Sequence, residues 1–403
     1  MQRKVVVTGI GPVTAMGNGK AEFFESLRKK KCKIEKIPDE FLAHNKFYTE
    51  YYVPCPEVDL SFLGKMKAKV KFAPTCAKLA LAATNYAMID ANLSAEEIDR
   101  NCGVVFGTGI GNIESCLNVC EDVCESNKYA RMMIPQCMIN SISGWVSIAF
   151  DLHGESYTMN TACASGTSAI GRAYQSIMMG TTDISVCGGV EVLKNHLGII
   201  MYGFDVLGTL TKNKDGMPYI FSNEHNGFLY NEGAASALIL EEYEHAVKRN
   251  AHIYAEITGY SSNCDAYNIV MMPKDGRMIK NMILDLVQGE KIDYYNAHGT
   301  GTQLNDEVET KVFHEIFGTD KSKQPYVSAT KGILGHSIGA SGAIEAAVCA
   351  YSIENNLVHG NIIGHLDEGI NLNEEEIHAD INTAISVSFG FGGHNAGLKM
   401  KKV

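Results

Sequence analysis

Cys163 stands in "NTACASGTSAIG", at the head of a run of small residues and just after the strand-like "SYTMNTA". A cysteine between alanines is either a buried apolar filler or a nucleophile, and its place on the chain decides which. If the run before it is a strand and the run after it a helix, the thiol faces a helix N-terminus. The unpaired N–H groups there favour thiolate and are expected to lower the thiol pKa. Two histidines stand in matching contexts: His298 ends the strand-like "DYYNA", and His336 precedes a Gly/Ala-rich helix in "TKGILGHSIGASGAIEA". Strand ends of this kind form the edge where α/β proteins build sites. Lys331 and Glu345 flank His336 as a pair able to orient it and keep it neutral by charge repulsion. "SFGFGGHNAG" at 388–397 supplies glycines around Phe391, a loop whose backbone N–H groups can approach a developing oxyanion.

These residues need a rigid frame, and the sequence alternates strand-like and helical segments to make one. Strand-like runs are "KVVVTGIG", "CGVVFGTG", "SYTMNTA" and "DISVCGGVEV", with helices at 20–29, 73–93 and 164–180. From residue 253 the rhythm restarts with "IYAEITGYSS". A helix near 277–288, "DYYNAHGTGT", a helix at 306–316 and "PYVSAT" follow. A helix at 337–355, "TAISVSFGFGG" and "NAGLKMKK" complete the second half. Two similar halves, 1–252 with the cysteine and 253–403 with both histidines, are expected. Residues 190–235, mixed in Gly, Asn and aromatics, are expected to loop over the site.

Composition bounds the function. The chain has 403 residues, 45% hydrophobic and 20% charged, with a net charge of −11 and no long basic run, which argues against nucleic acid as a partner. No run reaches the roughly 18 apolar residues of a membrane span, and the N-terminus lacks a secretory pattern. A cytoplasmic protein with free thiols among its 12 cysteines is therefore expected. Cys116, Cys120 and Cys124 fall on one helix face without a neighbouring His, a pattern for a core or subunit interface rather than a metal. "TGIGPVTAMGNG" lacks the GxGxxG spacing of a dinucleotide site.

Four motifs in order, "TACASG", "NAHGTGT", "KGILGHSIGASGAIE" and "FGFGGHN", resemble the elongating β-ketoacyl-[acyl-carrier-protein] synthases with a Cys-His-His site. The likeness spans nearly the whole chain. It implies an α/β thiolase-like fold, with duplicated βαβαβαββ halves in five α/β/α/β/α layers. It implies decarboxylative condensation of malonyl-carrier protein with an acyl group on Cys163, in a fatty acid or polyketide/polyene pathway. The alternative is a non-condensing or decarboxylase-only subunit of a heterodimer. By the resemblance, His298 and His336 serve the enolate, Thr300 and Thr302 hold the pantetheine arm, and Phe391 gates the acyl pocket. Ile110, Ile134, Met138 and Phe204 are candidates for the acyl tunnel, with 132–140 crossing a dimer interface. The partners implied are an acyl carrier protein and either an identical chain or a chain-length-factor-like one. No metal or resident cofactor is implied, since the phosphopantetheine arm arrives on the carrier. Lys65, Lys67, Lys69 and Lys71 in "GKMKAKVKFAP" are candidates for carrier docking, a basic patch in an acidic chain. Asn226, Asn231, Val387 and Gly208 depart from the family pattern.

Overall fold

The computed structural model describes residues 3–365 and 369–403. Strand β1 (Val5–Thr14) is buried along its whole length. An uninterrupted apolar run of this kind belongs inside a sheet covered on both faces. Strands β2 (Gly103–Gly107), β3 (Ser156–Met159), β4 (Ile184–Val192) and β5 (Gly233–Glu242) complete the first half-sheet, in the order β3-β2-β4-β5-β1. β2 lies parallel to β3 and β4, and β5 runs antiparallel to β4 and β1. Helices α1 (Thr75–Asp90), α2 (Ser141–Phe150) and α3 (Ser165–Met178) make the crossovers.

The second half repeats the pattern. It contains β6 (Ala255–Cys264), α4 (Arg277–Val287), β7 (Tyr294–Asn296), α5 (Gln303–Phe317) and β8 (Tyr326–Ser328). α6 (Ser341–Asn355), β9 (Thr383–Gly390) and β10 (His394–Lys401) follow. Their order, β8-β7-β9-β10-β6, matches the first half strand for strand. A short antiparallel pairing of Val5–Val7 with Ala255–Ile257 joins the two half-sheets at their edges. α3 and α6 pack against each other and against strands of both halves, so they form the middle layer. α1 and α2 cover one outer face and α4 and α5 the other, giving five layers.

The middle layer is thin because its helices meet at glycine. A Cβ on Gly342 would fall 2.1 Å from Thr167 Oγ1, and one on Gly166 would fall 2.7 Å from the Ala343 nitrogen. That contact brings the N-terminal ends of α3 and α6, and the residues before them, to one place between the sheets. The glycines of the first strand have a similar use: a Cβ on Gly11 would meet the Ala83 carbonyl at 2.2 Å, so they seat α1 on β1.

Some elements escape the sequence pattern. β5 opens with Gly-Ala-Ala-Ser and is buried on both faces, so it shows neither strong strand propensity nor alternation. Residues 190–235 are less irregular than expected, since β4 runs to Val192 and Ile199–Val206 is a helix. Cys116 is half-buried and Cys120 and Cys124 are exposed, so their helix, Ile113–Ser126, does not bury that face in the chain's own core. Among the described residues no helix is long and apolar enough to cross a membrane.

Candidate active site

Cys163 lies at the strand-to-helix turn. After β3 ends at Met159, a 3₁₀ turn (Ala162–Ala164) carries the thiol, and α3 starts at Ser165. Ala162 takes φ 50°, a left-handed conformation that side chains disfavour. Local hydrogen bonds hold it there. The Ala162 N–H donates to Asn160 Oδ1 at 3.1 Å, and Ser165 Oγ donates to the Ala162 carbonyl at 2.6 Å.

Cys163 is 5% exposed, and its own N–H and that of Phe391 favour the thiolate. Phe391 opens a turn in which Gly392 and Gly393 adopt φ 81° and 77°. Contrary to the expectation of a lowered pKa, burial pushes the Cys163 thiol up to about 12, while Lys331 and the two N–H groups pull it back only in part. The resting residue is a thiol because desolvation outweighs the helix end.

His298 follows β7. Its N–H and that of Gly299 donate to the two oxygens of Glu309, each at 2.8 Å. His336 follows a short helix (Lys331–Leu334) and donates its N–H to the Leu229 carbonyl at 2.8 Å. The rings stand 5.7 Å apart at 88°. Nδ1 of His336 is 3.0 Å from Ser341 Oγ, which accepts the Ser337 N–H at 3.2 Å. With its proton turned to Nδ1 rather than to Ser337 Oγ, 3.2 Å away, this serine selects the tautomer with the ring hydrogen on Nε2. Burial and the Lys331 charge hold both imidazoles well below the usual range, and His336 lowers His298 further. Both rings are neutral.

Lys331 and Glu345 pair in the buried interior, Nζ to Oε1 at 2.5 Å. Burial pushes the Glu345 carboxyl up to about 7, opposed by Lys331. The lysine was expected to orient His336. Instead Nζ donates to the His298 carbonyl at 2.7 Å, and Ser341 orients His336. Lys331 therefore acts on His336 through its charge, while its hydrogen bonds go to the residue after β7 and to Glu345.

Cys163, His298, His336, Thr300, Thr302 and Phe391 border one cleft of about 830 Å³, solvent mouth included. Oγ1 of Thr300 and Oγ1 of Thr302 are 2.9 Å apart. Ile110 and Phe204 pack against the apolar cluster that contains Cys163. Ile134 and Met138 do not border the cleft; they are 61% and 49% exposed, at and after the short helix Met133–Cys137. Lys65, Lys67, Lys69 and Lys71 are exposed along a 3₁₀ segment (Ser61–Met66) and a short helix (Lys67–Val70). Their alternation therefore spreads them around a helical surface.

Three of the departures have clear places. Asn231 donates to the Leu334 carbonyl at 2.8 Å and accepts the Gly233 N–H at 2.9 Å, bracing the turn before His336. Asn226 donates to Asn213 Oδ1 at 2.7 Å and accepts the Lys212 N–H at 2.8 Å. Val387 is buried in the core of the second half. Sequence reading missed Ser341, Glu309 and Glu191. Glu191 alone left a readable signal: a single acid inside the apolar strand "DISVCGGVEV" must find buried partners.

Comparison with known proteins agrees with this geometry. The Beta-ketoacyl synthase N-terminal domain matches residues 2–246, and the Beta-ketoacyl synthase C-terminal domain matches residues 254–365. The chain is 32% identical over 423 residues to 3-oxoacyl-[acyl-carrier-protein] synthase 2 of Coxiella burnetii, covering 100% of this chain and 99% of that one. One similar solved structure is a type II polyketide synthase acyl-carrier protein in complex with its ketosynthase bound to the hexaketide (TM-score 0.89, 28% identity, 100% of both chains). Another is the ishigamide ketosynthase/chain length factor (TM-score 0.88, 27% identity, 100% of both chains). With two family domains covering most of its length and a thiolase-like fold around a buried cysteine and two neutral histidines, this chain belongs to the β-ketoacyl synthase family of condensing acyltransferases.

Proposed function

We propose that this chain elongates a carrier-bound acyl group by two carbons, with Cys163 as the acyl acceptor. The observation that carries the reading is the convergence of Cys163, two neutral imidazoles and the Phe391 N–H on one cleft. In the first step the Cys163 sulfur attacks the thioester carbonyl of an acyl-carrier protein. The thiol proton passes to the departing pantetheine sulfur, and a Cys163 thioester remains. Malonyl-carrier protein then enters, its pantetheine arm lying along Thr300 and Thr302.

Loss of CO2 leaves an enolate whose oxygen accepts Nε2–H groups of His298 and His336. Neutral rings suit this task, because a cation that gave up its proton would quench the carbanion. The enolate carbon attacks the acyl carbonyl on Cys163, and the Cys163 and Phe391 N–H groups hold the resulting oxyanion. Collapse expels the Cys163 thiolate, which takes a proton from solvent. The product is a β-ketoacyl-carrier protein. No resident cofactor enters this scheme.

The nucleophile supports a condensing member over a silent or decarboxylase-only partner. Exposure of Ile134 and Met138 supports a dimer, with an identical chain or a chain-length-factor-like one, in which a second protomer covers them. A soluble acyl carrier fits a cytoplasmic enzyme of a fatty acid or polyketide/polyene pathway. The test is mass spectrometry of the protein after incubation with a panel of acyl-carrier proteins. Acyl groups on the Cys163 peptide, followed by a β-ketoacyl product and CO2 on adding malonyl-carrier protein, are expected. Acylation of a different cysteine would overturn the assignment.

A further inference from the structure

Glu191, on β4, is fully buried and among the described residues has no cation as a hydrogen-bond partner. Its carboxylate is held by donors from two separate loops. From the first half, Gly109 N–H donates to Oε2 at 2.6 Å, Ile110 N–H to Oε1 at 3.2 Å and Thr108 Oγ1 to Oε1 at 3.1 Å. From the second half, Gly339 N–H donates to Oε2 at 3.0 Å. An ionised carboxylate can accept all four, and a neutral side chain of the same size cannot.

Each loop carries a residue of the site. Ile110 packs against the cluster containing Cys163. Ile338 borders the cleft two residues after His336, with φ 43°, a conformation that a β-branched side chain adopts only under constraint from its surroundings. The loops also touch: a Cβ on Gly109 would fall 2.4 Å from Ile338 Cγ2. Burial pushes the Glu191 carboxyl up to about 7, against the pull of its four donors toward the ionised form.

We propose that Glu191 is a positioning residue that clamps Ile110 and Ile338 together, and so ties acyl-chain selectivity to the placement of His336. This rests on the condensing function proposed above. The glutamate touches no substrate and acts through the two loops it joins.

The test compares wild type with Glu191→Gln and Thr108→Val. Gln keeps the size but presents an NH2 to the N–H donors, while Val removes one donor to the carboxylate, together with the acceptor of the Gly111 N–H, and spares the carboxylate itself. The main readout is the ratio of kcat/KM for long and short acyl-carrier substrates, which a smaller folded fraction does not change. Glu191→Gln is expected to shift that ratio about fivefold or more and to slow malonyl decarboxylation about tenfold, the scale of one charge-assisted hydrogen bond. Thr108→Val is expected to shift the ratio the same way by a smaller factor, and it carries the test if Glu191→Gln fails to fold.

Amide hydrogen exchange gives a readout without catalysis. Exchange at Gly109, Ile110 and Gly339 should accelerate together in Glu191→Gln. An unchanged selectivity ratio in both variants, or accelerated exchange in one loop alone, would overturn the clamp. Failure of wild type to condense any acyl-carrier substrate would refute the condensing function, leaving the exchange result to judge the clamp.

Discussion

Lys331 Nζ joins two residues that the chain keeps far apart: it donates to the His298 carbonyl at 2.7 Å and to Glu345 Oε1 at 2.5 Å. The ammonium thus holds the carbonyl of one cleft histidine while its charge suppresses protonation of both rings. Glu345 depends on it as well, since Oε2 of that carboxylate has no hydrogen-bond partner among the described residues.

Removing the lysine alone strands a buried carboxylate. Lys331→Met should cost about 3–5 kcal/mol in urea unfolding, the range for breaking a buried ion pair. Lys331→Met with Glu345→Gln should recover most of that stability but not the decarboxylation rate, because the His298 carbonyl still lacks its donor and both rings lack the cation that lowers their pKa. Full recovery of rate in the double variant would show that the pair is structural only.

The imidazoles give a prediction in pH. Because both pKa values lie well below 6.5, neither ring takes a proton as pH falls from 8 to 6. Their NMR shifts should be flat over that range, and malonyl decarboxylation should show no imidazole titration there. His298→Ala and His336→Ala should each slow decarboxylation about 10²–10³-fold, the cost of one oxyanion donor, and leave acyl transfer to Cys163 less affected. Ser341→Ala should weaken His336 without removing it, by releasing Nδ1 to carry the ring hydrogen.

Thiol labelling separates Cys163 from its neighbours. With its pKa pushed up to about 12, Cys163 should react with iodoacetamide more slowly at pH 7.5 than the exposed Cys120, Cys124 and Cys264. Its rate should keep rising through pH 9 to 10 without a plateau. Lys331→Met should slow it further, since that cation lowers the thiol pKa. A plateau near pH 7 would mean that the resting residue is already thiolate.

The exposed lysines predict an ionic-strength effect. Lys67→Glu with Lys69→Glu should raise KM for acyl-carrier protein at low salt and leave turnover of a short pantetheine thioester near normal. The wild-type preference for carrier over free thioester should fall as salt screens the encounter. Wild-type behaviour of the double variant at low salt would move docking elsewhere.

How much of this was legible in the sequence depends on what each feature requires. The alternation from "KVVVTGIG" onward and the restart near residue 253 could be read because strand and helix leave different periods. Cys163 and His298 could be read because each ends a strand-like run, and His336 because it precedes a Gly/Ala-rich helix, although a short helix and not a strand leads into it. β5 was obscure, since small residues buried on both faces leave no period. The thiol pKa was read in the wrong direction, because the sequence displays a helix start but not the depth at which it lies. Lys331 was matched to the nearer histidine in sequence; its charge does keep His336 neutral, but its hydrogen bond goes to His298, just after β7. Ser341 and Glu309 act through contacts across the fold that spacing does not encode.

The two turns that meet in the middle layer are spelled almost alike, "TACASG" at 161–166 and "SIGASG" at 337–342. Each puts a strained residue, Ala162 or Ile338, first in a 3₁₀ turn that leads into a serine-led helix. Only the first carries sulfur. At the matching place in the second, Gly339, a Cβ would fall 2.3 Å from the Gly109 nitrogen and 2.8 Å from Glu191 Oε2. The duplicated architecture has therefore divided labour irreversibly at the level of single substitutions. A thiol lost at residue 163 has no route back through its twin, because Gly339→Cys would have to break open the packing between the halves before it could offer one.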